Sequence, residues 1–181
     1  MGTLARASRT LERVLEVVTV ALMVSMTTVV VVAVVYRKAG ASLTWYDEIA
    51  SIMLAWLTYY GACLAALKRA HIGFDGLVRA VPPAWRLACV GVAEAFVIAF
   101  FAILAWTGWV VLEVLAGDTL VSLPQVSVQI TQSVIPIGAA LFIVCELLSL
   151  PAYWRGLAHS LVDDLPGLDS ADPDDPGSSG R

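Results

Sequence analysis

The chain has 181 residues, 59% of them hydrophobic and 14% charged, against about 45–50% and about 25% in an ordinary soluble domain. An apolar excess of that size belongs against lipid. The net charge of −4 comes from the C-terminal end, where Asp163, Asp164, Asp169, Asp172, Asp174 and Asp175 face only Arg181. What precedes them is close to neutral and has no basic patch suited to nucleic acid.

Each transmembrane helix needs about 20 apolar residues, and the sequence supplies four such runs. Residues 17–36 carry no charge, follow Arg6, Arg9 and Arg13, and are closed by Arg37 and Lys38. A secretory signal would have an apolar core of about 7–15 residues and a cleavage site, so this is read as a retained helix over about 14–36, with residues 1–13 as its cytoplasmic lead-in. Residues 49–67 are uncharged and end at Lys68 and Arg69. Thr44 with Asp47 three positions on matches a helix-start capping pattern.

Residues 69–83 carry charges, His71, two glycines and Pro82-Pro83. They are too broken to cross a membrane and predict a loop, with a helical turn after Asp75. Residues 87–112 are apolar except Glu94 and would reach about 39 Å as a helix, longer than the hydrocarbon layer of about 30 Å. After Gly117-Asp118 and Pro124, residues 128–150 form the last run, broken by Glu146 and stopped by Pro151. Residues 151–181 turn acidic and rich in Pro, Gly and Ser, a composition that predicts a disordered tail. The fold predicted is all-α, one bundle of four transmembrane helices over residues 14–150.

Cytoplasmic flanks carry the excess of Lys and Arg. With four spans both termini share a side, and nine basic residues lie there against Arg37 and Lys38 opposite. Both termini are therefore expected in the cytoplasm.

No catalytic, cofactor or metal site is legible. Cys63, Cys89 and Cys145 form no C-x-x-C pair and read as small core or lipid-facing residues. His71 and His159, outside the spans, cannot ligate a haem between helices. A G-x-x-x-x-G-K-[ST] loop is missing, so the chain is not itself an ATPase.

Three groups of residues invite more than one reading. Trp45, Asp47 and Glu48 open the second span, where interfacial anchoring and the positive helix end explain them, as would docking of a partner protein. Arg69, His71 and Asp75 follow that span, where cations suit a helix C-terminus and lipid headgroups. Gln125, Gln129 and Gln132 are spaced to share one helical face, either as a plain interfacial end or as amides facing a partner helix. Carboxylates inside spans are costly and usually face a partner or an ion path. Glu16, Glu94 and Glu146 all fall in the cytoplasmic half, where a structural belt paired with the basic residues is the simpler reading.

The order Trp45-Tyr46-Asp47-Glu48, Gly61-Ala62, Lys68-Arg69-Ala70-His71-Ile72, Asp75 and Pro82, with Pro136-Ile137-Gly138 in the last span, resembles the small permease subunit (DctQ-type) of tripartite ATP-independent periplasmic (TRAP) transporters. The resemblance covers about residues 14–150. It departs around Pro124, where the family often has a tryptophan shortly after the proline and this chain has Val126. It implies a bacterial inner-membrane protein that scaffolds a large transport subunit, with a periplasmic receptor delivering an organic acid, by default a C4-dicarboxylate, for sodium-driven uptake. The reading from another class is a four-helix membrane anchor or small channel subunit of an unrelated complex.

Overall fold

A computed structural model describes residues 2–41, 43–68 and 83–163. They form α1 (Gly2–Lys38), α2 (Tyr46–Leu67), α3 (Pro83–Val114), the short α4 (Val128–Gln132) and α5 (Val134–Asp163). The fold is all-α, and four segments are long and apolar enough to cross a membrane, the last of them combining α4 with the first part of α5.

Local chemistry explains most of the ends. At the end of α1, Gly40 takes φ +83°, so that Gly40 N donates to Arg37 O at 3.2 Å and Ala41 N to Tyr36 O at 3.0 Å. These two bonds satisfy carbonyls of the last turn, with glycine in the left-handed position at no steric cost. Pro83 opens α3, where a missing N–H costs nothing. Ser127 caps α4 by accepting from Gln129 N.

α2 and α5 pack side by side and parallel, α1 packs mainly on α2 and touches α5, and α3 packs on α5. The central position of α5 shows in its burial: 44% of its most apolar window is enclosed, against 6% for α1 and α3. The main core sits where α1, α2 and α5 meet, around Leu15, Cys63, Ala66, Phe142 and Cys145. Phe101 of α3 joins it by stacking on Phe142, ring centroids 3.7 Å apart.

Two glycines allow the close packing. A Cβ on Gly138 would stand 2.8 Å from the Tyr59 ring, and one on Gly108 would stand 2.9 Å from Ile135 and 3.1 Å from Pro136. These contacts fix α5 against α2 and α3, and show that Gly108 of α3 and Tyr59 of α2 lie at nearby levels of α5.

Several boundaries differ from the sequence reading. α1 begins at Gly2, so the stretch expected as a lead-in is helical. Pro151 does not stop the last helix, which runs to Asp163. A proline inside a helix loses one bond, here to the Leu147 carbonyl, but Trp154 packs over Gly91 of α3, 3.6 Å from where a Cβ would stand, and this contact carries the helix onward. The expected tail is thus helical up to Asp163, and its remainder, like the expected turn after Asp75, falls outside the described residues.

The run over 128–150 is not one helix. Pro136 has no N–H for the Gln132 carbonyl and its ring crowds it; the chain breaks at Ser133. The Thr44/Asp47 capping pattern is also not formed: Trp45 precedes α2 in an already helical conformation and no side chain caps it.

Candidate functional site

The polar groups gather at the two ends of the helix bundle. At the Glu48 end, the carboxylate of Glu48 reaches across to the connection between α3 and α4. It accepts from Val121 N at 3.2 Å and from Ser122 N at 2.9 Å. Ser122 Oγ, in turn, donates to Thr44 O at 3.4 Å. The connection is itself folded back, with Leu120 N on Val126 O and Val128 N on Asp118 O, both at 3.0 Å. Its tip carries Val121 with 93% of its surface exposed.

Trp45 is half-buried beside this clip and Asp47 is exposed. Of the three glutamines, Gln129 alone is spent inside the chain: its Nε2 donates to Leu112 O at 2.8 Å, satisfying a carbonyl at the end of α3. Gln125 precedes Ser127, the cap of α4, and so does not share a helical face with Gln129, contrary to the spacing argument. Gln125 and Gln132 are both exposed.

At the opposite end, Lys68 bonds to Glu16 and lies 3.5 Å from Glu12. Glu16 therefore pairs with a basic residue of the neighbouring helix. Glu146 is buried, at 5% exposure, at the start of the last turns that follow Cys145. Glu94 is half-buried, one turn beyond Gly91. Arg69, His71 and Asp75 lie outside the described residues. Among the described residues, no group of three or more His, Cys, Asp or Glu could hold a metal ion.

Sequence reasoning passed over several contributors. Glu12 lies four residues before Glu16, so the two share a face, and this spacing could have revealed the shared cation. Glu113, four residues after Trp109, accepts from that indole at 3.0 Å. The bonds from Trp56 Nε1 to Thr131 O, 2.9 Å, and from Cys63 Sγ to Gly138 O, 3.4 Å, join α2 to α4 and to α5 and left no local signal.

The family of tripartite ATP-independent periplasmic transporters, DctQ component, matches residues 26–156. The chain belongs to this family. The matched region takes in the last third of α1, all of α2, α3 and α4, and α5 beyond Trp154, so it covers three transmembrane segments in full and the end of the first. It contains Glu48, the loop it holds, Lys68 and Glu94, while Glu12 and Glu16 precede it. A DctQ component is part of a transporter and not an enzyme family, which decides against the unrelated anchor or channel. Together with the four apolar helices it makes this a multi-pass membrane protein. Comparison with curated proteins finds no match.

Proposed function

We propose that this chain is the small scaffold subunit of a TRAP transporter in the bacterial inner membrane. It holds a large transport subunit that takes up an organic acid, of the C4-dicarboxylate or a related carboxylate class, with sodium, after a periplasmic receptor delivers it. Both termini and the Lys68 end face the cytoplasm, and the Glu48 end faces the periplasm.

The observation that carries this reading is the family match over residues 26–156, which takes in three spans in full and the end of the first. The polar chemistry agrees with it. Transport sites in membranes are built near the midplane from interrupted helices; at the one interruption among the described helices, at Ser133, the Thr131 carbonyl is taken up within the chain by Trp56. The bonded groups of Glu48, Gln129 and Lys68 serve to hold helices and loop together. Trp45, Asp47, Gln125 and Gln132 at one end, and Arg69, His71 and Asp75 at the other, are the residues through which partners are met. Glu16, Glu94 and Glu146 form the structural belt, and membrane lipid meets part of the outer surface.

The test is co-purification. The tagged chain, co-expressed with the large subunit encoded beside it, is expected to retain that subunit in detergent. Purified alone, it is expected to give no saturable heat with dicarboxylates in calorimetry. Failure to retain any large subunit, or saturable binding by the isolated chain, would overturn the proposal.

A further inference from the structure

Glu48 and Lys68 are twenty residues apart on α2, about 30 Å of helix, the thickness of the hydrocarbon layer. Tyr59 lies near the middle of that interval. It packs against Gly138 of α5, and Gly108 of α3 packs against Ile135 and Pro136. Trp106, two residues from Gly108 and facing the same stretch of α5, is consequently close to the membrane midplane.

Its side chain is 73% exposed. Tryptophan favours the membrane interface, where the ring is in apolar surroundings and the N–H meets headgroups or water. At mid-depth the hydrocarbon offers no acceptor, and an unpaired N–H there carries a desolvation penalty. The neighbouring cases are resolved within the chain: Trp109 donates to Glu113 and Trp56 to Thr131 O. Thr27, Thr28 and Thr107 donate to carbonyls of their own helices. The indole N–H of Trp106 has no acceptor among the described residues.

Trp106 also forms a wall of an open apolar groove of about 670 Å³ between α3 and α5, with Ala105, Pro136, Ile137 and Ala140 lining it. The exposed face of α1 is different. It is built of valines such as Val17, Val20, Val24 and Val31, which ask nothing of lipid but apolar contact.

We infer that the α3–α5 face around Trp106 seats a membrane helix of the large subunit, which presents a carbonyl or side-chain oxygen to the Trp106 N–H, while the valine face of α1 is left to lipid. The inference rests on the scaffold reading above. What distinguishes a protein occupant from an acyl chain is the acceptor: a lipid tail fills the groove but leaves the indole unpaired.

The test uses the assembled complex in native membranes, with a photoreactive benzophenone amino acid at position 106 or, separately, at position 24. Irradiation is expected to give an adduct of small and large subunits from position 106 and none from position 24. Trp106→Phe, which keeps the ring but removes the donor, is expected to lower retention of the large subunit by about threefold, the scale of an average interhelical hydrogen bond in a membrane, without changing the melting temperature of the isolated chain. An adduct at 106 only with lipid or a second copy of the chain, or no adduct there in a complex that co-purifies, overturns the inference and leaves the scaffold reading intact. Undiminished retention by Trp106→Phe overturns the hydrogen bond. A wild-type chain that retains no large subunit overturns the scaffold reading, and this inference with it.

Discussion

Trp56 Nε1 donates to the carbonyl of Thr131 at 2.9 Å, tying the middle of α2 to the end of α4 just before the break at Ser133. In an unbroken helix the Thr131 carbonyl would accept from the amide four residues on; where the backbone turns, the indole takes that place. Trp56→Phe is expected to destabilise the purified chain by about 1 kcal/mol, the net worth of a hydrogen bond. A melting curve in detergent measures it, and an unchanged midpoint would show that the carbonyl finds another donor.

The approach of α5 to α2 depends on Gly138 lacking a side chain. Gly138→Ala places a methyl 2.8–3.0 Å from three atoms of Tyr59, including its Cβ, so a backbone must move. The expected loss is about 1–3 kcal/mol, the usual cost of overpacking. Gly61 is the control, since nothing stands within 4 Å of its would-be Cβ. Gly61→Ala should leave the isolated chain as stable or up to about 1 kcal/mol more so, from helix propensity. A Gly61→Ala chain that melts normally but loses the large subunit would place a partner against that open side of α2.

The spans were legible because a run of about 20 uncharged residues has one physical solution in lipid. The ends were less so. Pro151 reads locally as a stop, and only the distant packing of Trp154 over Gly91 carries the helix past it. Pro136 sits inside an apolar run, so its effect on residues three positions earlier was hidden by the composition around it. In the candidate site, the sequence singled out Glu48 for charge and position. Its real partners are the amides of Val121 and Ser122, more than seventy residues away, and backbone amides have no sequence signature. Gln129 was singled out as an amide able to face a partner helix, while the acceptor it meets inside the chain, the Leu112 carbonyl, was invisible for the same reason.

Glu48 acts as a clip on the connection between α3 and α4. Glu48→Ala removes both acceptors and is expected to speed hydrogen exchange at the Val121 and Ser122 amides, with little change at Leu120 N, which is held by Val126 O. Glu48→Gln keeps one acceptor oxygen and should fall between. Exchange followed by mass spectrometry on peptides covering residues 115–127 reads this directly, and equal protection in all three chains would mean that the loop holds its shape without the clip.

Lys68 joins α2 to α1 through Glu16 and Glu12. The hydrogen bond that Lys68 donates to Glu16 holds its ammonium above the ordinary value of 10.5, with the charges of Glu16 and Glu12 adding to it. A folded-state pKa raised above the unfolded one means that the folded chain keeps its proton longer. The stabilisation is then fully present below about pH 10.4, the free lysine value, and fades as pH rises through the higher folded value. The difference in melting temperature between wild type and Lys68→Met should stay level from neutrality up to that point and close at more alkaline pH. Because these side chains are more than a third exposed, the difference should be small and should shrink with added salt. A difference that already closes between pH 7 and 9 would mean that another group, not the Lys68 ammonium, holds α1 to α2.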